Sequence, residues 1–138
     1  MKKVVFVLVV VVMLAVGVNA SAAPCRNAVE VSREAYRLER ASENLHRAIH
    51  RATGYSHLVN DAYALATEAR QLHRSADRRW SCQRIREDYA GVRNAFRRLD
   101  AKMDRAHRIH HRKSVSRDWV AVKNAYYSTR NAVDRSRY

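Results

Sequence analysis

Histidine is the residue type whose spacing in this 138-residue chain points most directly to chemistry. His46 and His50 are four residues apart, His107 and His111 are four apart, and His110 lies beside the second pair. Two imidazoles at positions i and i+4 lie on one face of a helix, where they can share a metal ion. The pattern therefore makes these five histidines the candidate metal ligands.

A structural explanation competes with metal binding for the stretch RAHRIHHRK, residues 105–113. Histidine and arginine favour the last turn of a helix, where they complement the exposed carbonyl groups and the negative end of the helix dipole. No cysteine or inward-facing carboxylate completes a closed coordination shell, and the nearby arginines repel a cation. We therefore rank the helix-end role first, contact with a polyanion second and metal binding third.

Positive charge is the second chemical signal. The chain has 27 Lys and Arg against 13 Asp and Glu, and residues 81–138 carry 15 basic and 6 acidic groups, against 10 and 7 in residues 24–80. Such a surface attracts anionic partners. The candidate anion-binding residues are Arg93, Arg97, Arg98, Arg105, Arg108, Arg112, Lys113 and Arg117. The alternative is a solvent-exposed face on which the basic residues pair with Glu and Asp.

The first residues are typical of an export signal. Lys2 and Lys3 precede an unbroken apolar run over residues 4–18, and small residues follow at 19–23. Fifteen apolar residues are short for a membrane span, which needs about twenty. We predict a cleaved signal peptide at residues 1–22 and a single domain at 23–138, in the periplasm or the medium; a retained anchor is the alternative.

Cys25 and Cys82 are the two cysteines of the chain. An even number of cysteines in an exported protein favours a disulfide, because export usually brings an oxidising compartment. Two free thiols are the alternative.

Four segments carry apolar residues at alternating steps of three and four, the pattern of helices packed in a bundle. They predict helices at about 27–53, 56–79, 82–112 and 115–136. The boundary signals are Asn27 with Glu30 as a capping box, Thr53-Gly54 as a helix end, and Ser56, Ser81 and Ser114 or Ser116 as N-caps.

Short connections make neighbouring helices antiparallel, so the predicted fold is an all-α, up-down-up-down four-helix bundle. In that topology the first and third helices start at the same end, which is where Cys25 and Cys82 fall. All the histidines except His73 then gather toward the opposite end.

The final stretch, STRNAVDRSRY from Ser128, resembles the C-terminal stretch of cytochrome b562, a periplasmic four-helix bundle. Where that family has its haem-ligating histidine this chain has Asp134, and no Met lies in the first helix after the signal. The chain also lacks a Cys-x-x-Cys-His motif for covalent haem attachment. No cofactor or function is therefore carried over from the resemblance.

Few features favour catalysis. The chain has three glycines, and it contains neither a phosphate-cradling loop nor a nucleophile elbow. Trp80 and Tyr127 lie off the apolar stripes, which makes them the aromatic candidates for a contact surface. We expect a non-catalytic binding or structural protein of the bacterial cell envelope, whose partner is an anionic envelope component or an acidic protein, with no sequence-specific reading of nucleic acid. The alternatives are a periplasmic metal-binding bundle and a periplasmic chaperone or stress protein.

Overall fold

The chain forms the predicted four-helix bundle in a computed structural model that describes residues 23–53, 56–106 and 112–136. The helices are α1 (Ala28–Thr53), α2 (His57–Asp77), α3 (Cys82–Met103) and α4 (Lys113–Arg135). Helix α1 packs against α2 and α4, and α2 packs against α3, whereas α3 and α4 approach each other less closely. The all-α prediction is confirmed, and no strand occurs in the described ranges.

The core consists of the apolar stripes that the sequence predicts. Leu38, Leu45, Leu65, Leu72 and Leu99 are completely buried at the centre of the bundle. Small residues such as alanine fill many of the remaining core positions of α1 and α2, which lets these two helices lie close together. The predicted signal peptide, residues 1–22, lies outside the described residues. Within the described ranges, none of the helices combines the length and the apolar character needed to cross a membrane.

Cys25 joins several parts of the chain at one end of the bundle. It forms the expected disulfide with Cys82, at a Cα–Cα distance of 4.7 Å. Its backbone N–H donates to the carbonyl oxygen of Trp80 at 3.2 Å, and its sulfur lies 3.6 Å from the carbonyl oxygen of Ser136. The disulfide closes a loop of 57 residues, which corresponds to a stabilisation of about 4 kcal/mol on the chain-entropy model.

Two of the predicted N-caps are confirmed, and two boundary predictions are wrong. Ser56 and Ser81 accept hydrogen bonds from the backbone of their own helices, at 3.4 and 3.3 Å. The side chain of Asn27 instead donates to the carbonyl oxygen of Arg135 at 3.0 Å, so it caps the end of α4 and not the start of α1. Helix α4 begins at Lys113 after Arg112, which makes no side-chain capping bond, so neither Ser114 nor Ser116 is the cap.

Helix α3 is shorter than predicted. It ends at Met103 and is followed by a turn at 104–105, whereas the sequence predicts a helix to 112. Ala106, the next position of the apolar stripe, packs against the core but adds only a methyl group, which is little apolar surface to stabilise a further helical turn. Residues 107–111, which hold three of the candidate metal ligands, lie outside the described residues.

Helix α2 also ends two residues earlier than predicted, in a turn that normally uses glycine. Arg79 has φ = 53°, and its N–H donates to the carbonyl oxygen of Ala76 at 3.0 Å. The N–H of Trp80 donates to the carbonyl oxygen of Ser75 at 3.1 Å. These two bonds define a Schellman motif, in which the left-handed position is usually glycine. The turn directs Trp80 toward Cys25 and the start of α3.

Replacing Arg79 by glycine should raise the free energy of unfolding in urea by roughly 0.5 to 1 kcal/mol. A left-handed conformation costs an L-residue about 1 to 2 kcal/mol, and the greater freedom of glycine in the unfolded chain offsets part of this gain. Arg79→Ala serves as the control and should bring no such gain, because alanine also has a Cβ. An Arg79→Gly protein less stable than the parent would contradict this explanation of the turn.

Candidate functional site

Ion pairs bridge three of the four seams between neighbouring helices in the described part of the chain. Across α1 and α2, Arg70 donates to Glu39 and to Glu43, both at 2.7 Å. These hydrogen bonds raise the pKa of Arg70 above its usual value. Glu39, which is buried, also lies 3.4 Å from His73. The α1–α2 seam therefore uses two carboxylates to hold Arg70.

Acidic residues bridge the α2–α3 and α1–α4 seams in the same way. The buried carboxylate of Asp88 accepts hydrogen bonds from Ser75 and, at 3.0 Å, from Gln71, while Lys102 pairs with Asp61. A Cβ at Gly91 of α3 would meet the carboxylate of Glu68 of α2, so that flexible side chain would have to move if a larger residue replaced the glycine. Between α1 and α4, Glu30 pairs with Arg135.

The seam between α3 and α4 is built from aromatic rings. Phe96 stacks on Tyr126 with ring centroids 3.7 Å apart and planes 4° apart, and Trp119 lies 5.7 Å from Phe96. The hydroxyl groups of Tyr89 and Tyr126 are 3.3 Å apart. Burial, and then the hydrogen bond with Tyr126, raise the pKa of Tyr89. These large rings keep the two backbones apart, which explains why α3 and α4 approach less closely than the other pairs.

Cations and one exposed aromatic ring flank the aromatic seam. We call this surface the α3–α4 face; it consists of Arg86, Arg93, Arg97, Lys123, Tyr127 and Arg130. Arg86 and Arg93 line a groove of about 180 Å³ that reaches Val133 and Asp134 of α4. Lys123 lies 5.7 Å from the Trp119 ring, and Arg130 lies 5.3 Å from the Tyr127 ring.

The cations of the α3–α4 face differ in their partners from Arg70 of the α1–α2 seam, which pairs with two carboxylates. None of the five forms a salt bridge with a carboxylate among the described residues. Asp100 adds an acidic group near Lys123; burial and the charge of Asp104 raise the pKa of Asp100, and Lys123 lowers it. The face therefore carries an excess of positive charge beside exposed aromatic surface.

The structure brings together only some of the predicted anion-binding residues. Arg93 and Arg97 are exposed on successive turns of the α3–α4 face. Arg98 lies one turn before Lys102, which pairs with Asp61 of α2, so Arg98 belongs to the opposite flank of α3. The others are spread around the second connection and the start of α4: Arg105, Arg112 and Lys113 are exposed, Arg117 pairs with Asp118 at 3.2 Å, and Arg108 lies outside the described residues.

Sequence reasoning missed Lys123 and Arg130 as members of this surface. The two residues are seven positions apart, so they lie on one side of α4, and they flank Tyr126 and Tyr127. That combination of helical spacing and aromatic neighbours is the signal that could have identified them. Trp80 and Tyr127 are exposed by 37% and 47%, whereas Trp119 and Tyr126 are buried, as their phase in the stripes predicts.

Of the histidines that the structure describes, two stack as a pair, and none belongs to a metal-binding cluster. The rings of His46 and His50 stack with centroids 6.4 Å apart, and Tyr63 of α2 contacts the edge of His46. Among the residues described, no group of three or more His, Cys, Asp or Glu is placed to hold a metal ion. His107, His110 and His111 lie outside those residues, so metal binding at that cluster stays a prediction.

His46 is the titratable histidine with a distinctive environment. Its Nδ1 atom is buried and has no hydrogen-bond partner among the described residues. Burial lowers the pKa of His46 below the usual 6.5; the charges of His50 and Arg47 lower it further, and Glu43 opposes them. Neutral imidazole is therefore the form that the folded protein favours.

No protein-family model, curated protein or solved structure matches this chain, so the function is inferred from its geometry and charge.

Acidification should reduce the stability of the parent protein more than that of His46→Gln. The unfolded chain takes up a proton at His46 near pH 6.5, whereas the folded protein does so only at lower pH. The free energy of unfolding should therefore fall as the pH drops through 6.5. The contribution of His46 to this fall should end once the pH is below the pKa of His46 in the folded protein. Urea unfolding at pH 7.5 and pH 5.0 measures the difference.

The exposed His57 provides the matched control for this measurement. His57→Gln should lose as much stability between the two pH values as the parent does. An equal loss in the parent and in His46→Gln would show that the partly buried imidazole of His46 is not responsible.

Proposed function

We propose that this protein is an exported, disulfide-closed helical bundle that binds an anionic component of the bacterial cell envelope through its basic second hairpin, without catalysing a reaction. Export is inferred from the basic and apolar character of residues 1–22. The disulfide between Cys25 and Cys82 agrees with an oxidising compartment. The contact surface in this proposal is the α3–α4 face.

The observation that carries the proposal is the unequal pairing of charge at the helix seams: ion pairs cross three of them, and none crosses the α3–α4 seam among the described residues. In the first hairpin, Glu39 and Glu43 hold Arg70. On the α3–α4 face, Arg93 and Arg97 are exposed and have no carboxylate partner among the described residues. An unpaired guanidinium at the surface keeps all of its donors available for the oxygens of an anionic partner.

The aromatic composition of this face also suits an envelope surface. Tyr127 is exposed by 47% and has an apolar ring and a polar hydroxyl, which favours the boundary between a polar and an apolar phase. Arg130 beside this ring places a cation where an anionic headgroup would lie. The groove of about 180 Å³ between Arg93 and Asp134 gives the same face a concave portion.

Binding to lipid vesicles tests the proposal. The parent protein should co-sediment with vesicles of phosphatidylglycerol and phosphatidylcholine, should not co-sediment with vesicles of phosphatidylcholine alone, and should lose affinity steeply between 50 and 300 mM salt. Arg93→Gln with Arg97→Gln should weaken binding by about 30-fold, because each basic residue near an anionic surface contributes about 1 kcal/mol.

The matched control is Arg47→Gln with Arg51→Gln on α1. It removes the same charge from two exposed arginines that are also four residues apart. This variant should bind the anionic vesicles nearly as well as the parent. Binding that does not respond to salt, or an equal loss in both double variants, would show that the α3–α4 face is not the contact surface.

A further inference from the structure

A second basic feature lies where α2 turns into α3, at the disulfide end of the bundle. It is a cleft of about 350 Å³, which is within the size range of small-molecule sites. We call it the α2–α3 cleft; it is lined by Thr67, Arg70, Gln71, Arg74, Ser75, Arg78, Trp80 and Arg84. Four arginines thus converge on one concavity, on the opposite side of α3 from the α3–α4 face.

Some arginines of the cleft pair with carboxylates in the described part of the chain, and others do not. Arg70 is fixed by Glu39 and Glu43 at 2.7 Å and is not available to a ligand. Arg74 and Arg78 have no carboxylate partner among the described residues. These two side chains, one turn apart on α2 and its C-cap, supply two free positive charges.

Trp80 orders the cationic side of the cleft. The guanidinium carbons of Arg78 and Arg84 lie 5.9 and 5.2 Å from the centroid of its ring, within the range of a cation–π contact. Arg84 also lies 3.6 Å from the buried carboxylate of Asp88. A guanidinium that is already held against a ring loses less rotational freedom when it binds an anion.

The charge and the donors of the cleft match a phosphate dianion. Arginine presents a planar fork of N–H donors that fits two oxygens of one phosphate, and two such forks from Arg74 and Arg78 balance a charge of −2. The free volume exceeds what a phosphate group alone requires, so an attached organic group can lie along Thr67 and Trp80.

We propose that the α2–α3 cleft is a binding site for the phosphate group of a small phosphomonoester. The same chemistry is offered by free orthophosphate and by an organic monoester. This site goes beyond the surface contact proposed for the α3–α4 face and does not depend on it. Ligand enters from the solvent side of α2, where Arg74 and Arg78 are exposed.

Titration with glucose 6-phosphate, orthophosphate and glucose tests this site. Trp80 and Trp119 are the two tryptophans of the chain, and Trp119 is only 3% exposed, so a change in fluorescence on binding reports mainly on Trp80. Isothermal titration calorimetry gives the affinity independently of the reporter. Both phosphates should bind and glucose should not. Tighter binding of glucose 6-phosphate shows that the cleft also contacts the organic group, and equal binding shows that it recognises the phosphate group alone.

Arg74→Gln with Arg78→Gln should weaken the binding of both phosphates at least tenfold, with an unchanged circular dichroism spectrum because both side chains are exposed. Arg93→Gln with Arg97→Gln is the matched control and should retain phosphate binding. Failure of the parent protein to bind either phosphate, binding of glucose with equal affinity, or undiminished binding by Arg74→Gln with Arg78→Gln would overturn the proposal. Vesicle binding tests the α3–α4 face separately, so either proposal can fail alone.

Discussion

Ion pairs that cross between helices connect three of the four seams of this bundle and determine which of its charges remain available. Arg70 joins α1 to α2 through two glutamates, Lys102 joins α2 to α3, and Arg135 joins α1 to α4. Each bridge fixes two helices relative to each other, and each uses a carboxylate in a chain that has only 13 of them for 27 basic residues. The cations that remain therefore have few carboxylates within reach.

In the described part of the chain, the fourth seam, between α3 and α4, is packed by aromatic rings and not by ion pairs, and the proposed function depends on that difference. Phe96, Trp119 and Tyr126 fill the space between α3 and α4 with stacked rings, whose attraction does not require opposite charges on the two helices. Cations on both borders of the seam can then stay exposed without loss of packing. Arg93 and Arg130 are examples, one on each helix. An anionic partner that bridges the seam would also relieve the repulsion between them.

The sequence predicts the helices and the core well, because the apolar stripes repeat in phase. It also predicts the disulfide, because Cys25 and Cys82 fall at one end of the bundle. Helix ends are less predictable. Asn27 has the local pattern of a cap but bonds to another helix, and Arg79 adopts a conformation that the sequence signals only with glycine. The composition of the α3–α4 face and of the α2–α3 cleft depends on which helices become neighbours, so the spacing along one helix identifies only part of either surface.

Contact between the α3–α4 face and an anionic surface can be located by mapping which backbone amides respond to that surface. ¹⁵N-labelled protein should be titrated with phosphatidylglycerol nanodiscs and followed residue by residue by NMR. Amide signals of residues 86–97 and 123–130 should lose intensity first, while those of residues 33–51 on α1 should persist. Loss of intensity that is uniform along all four helices, or that begins on α1, would contradict contact through the α3–α4 face.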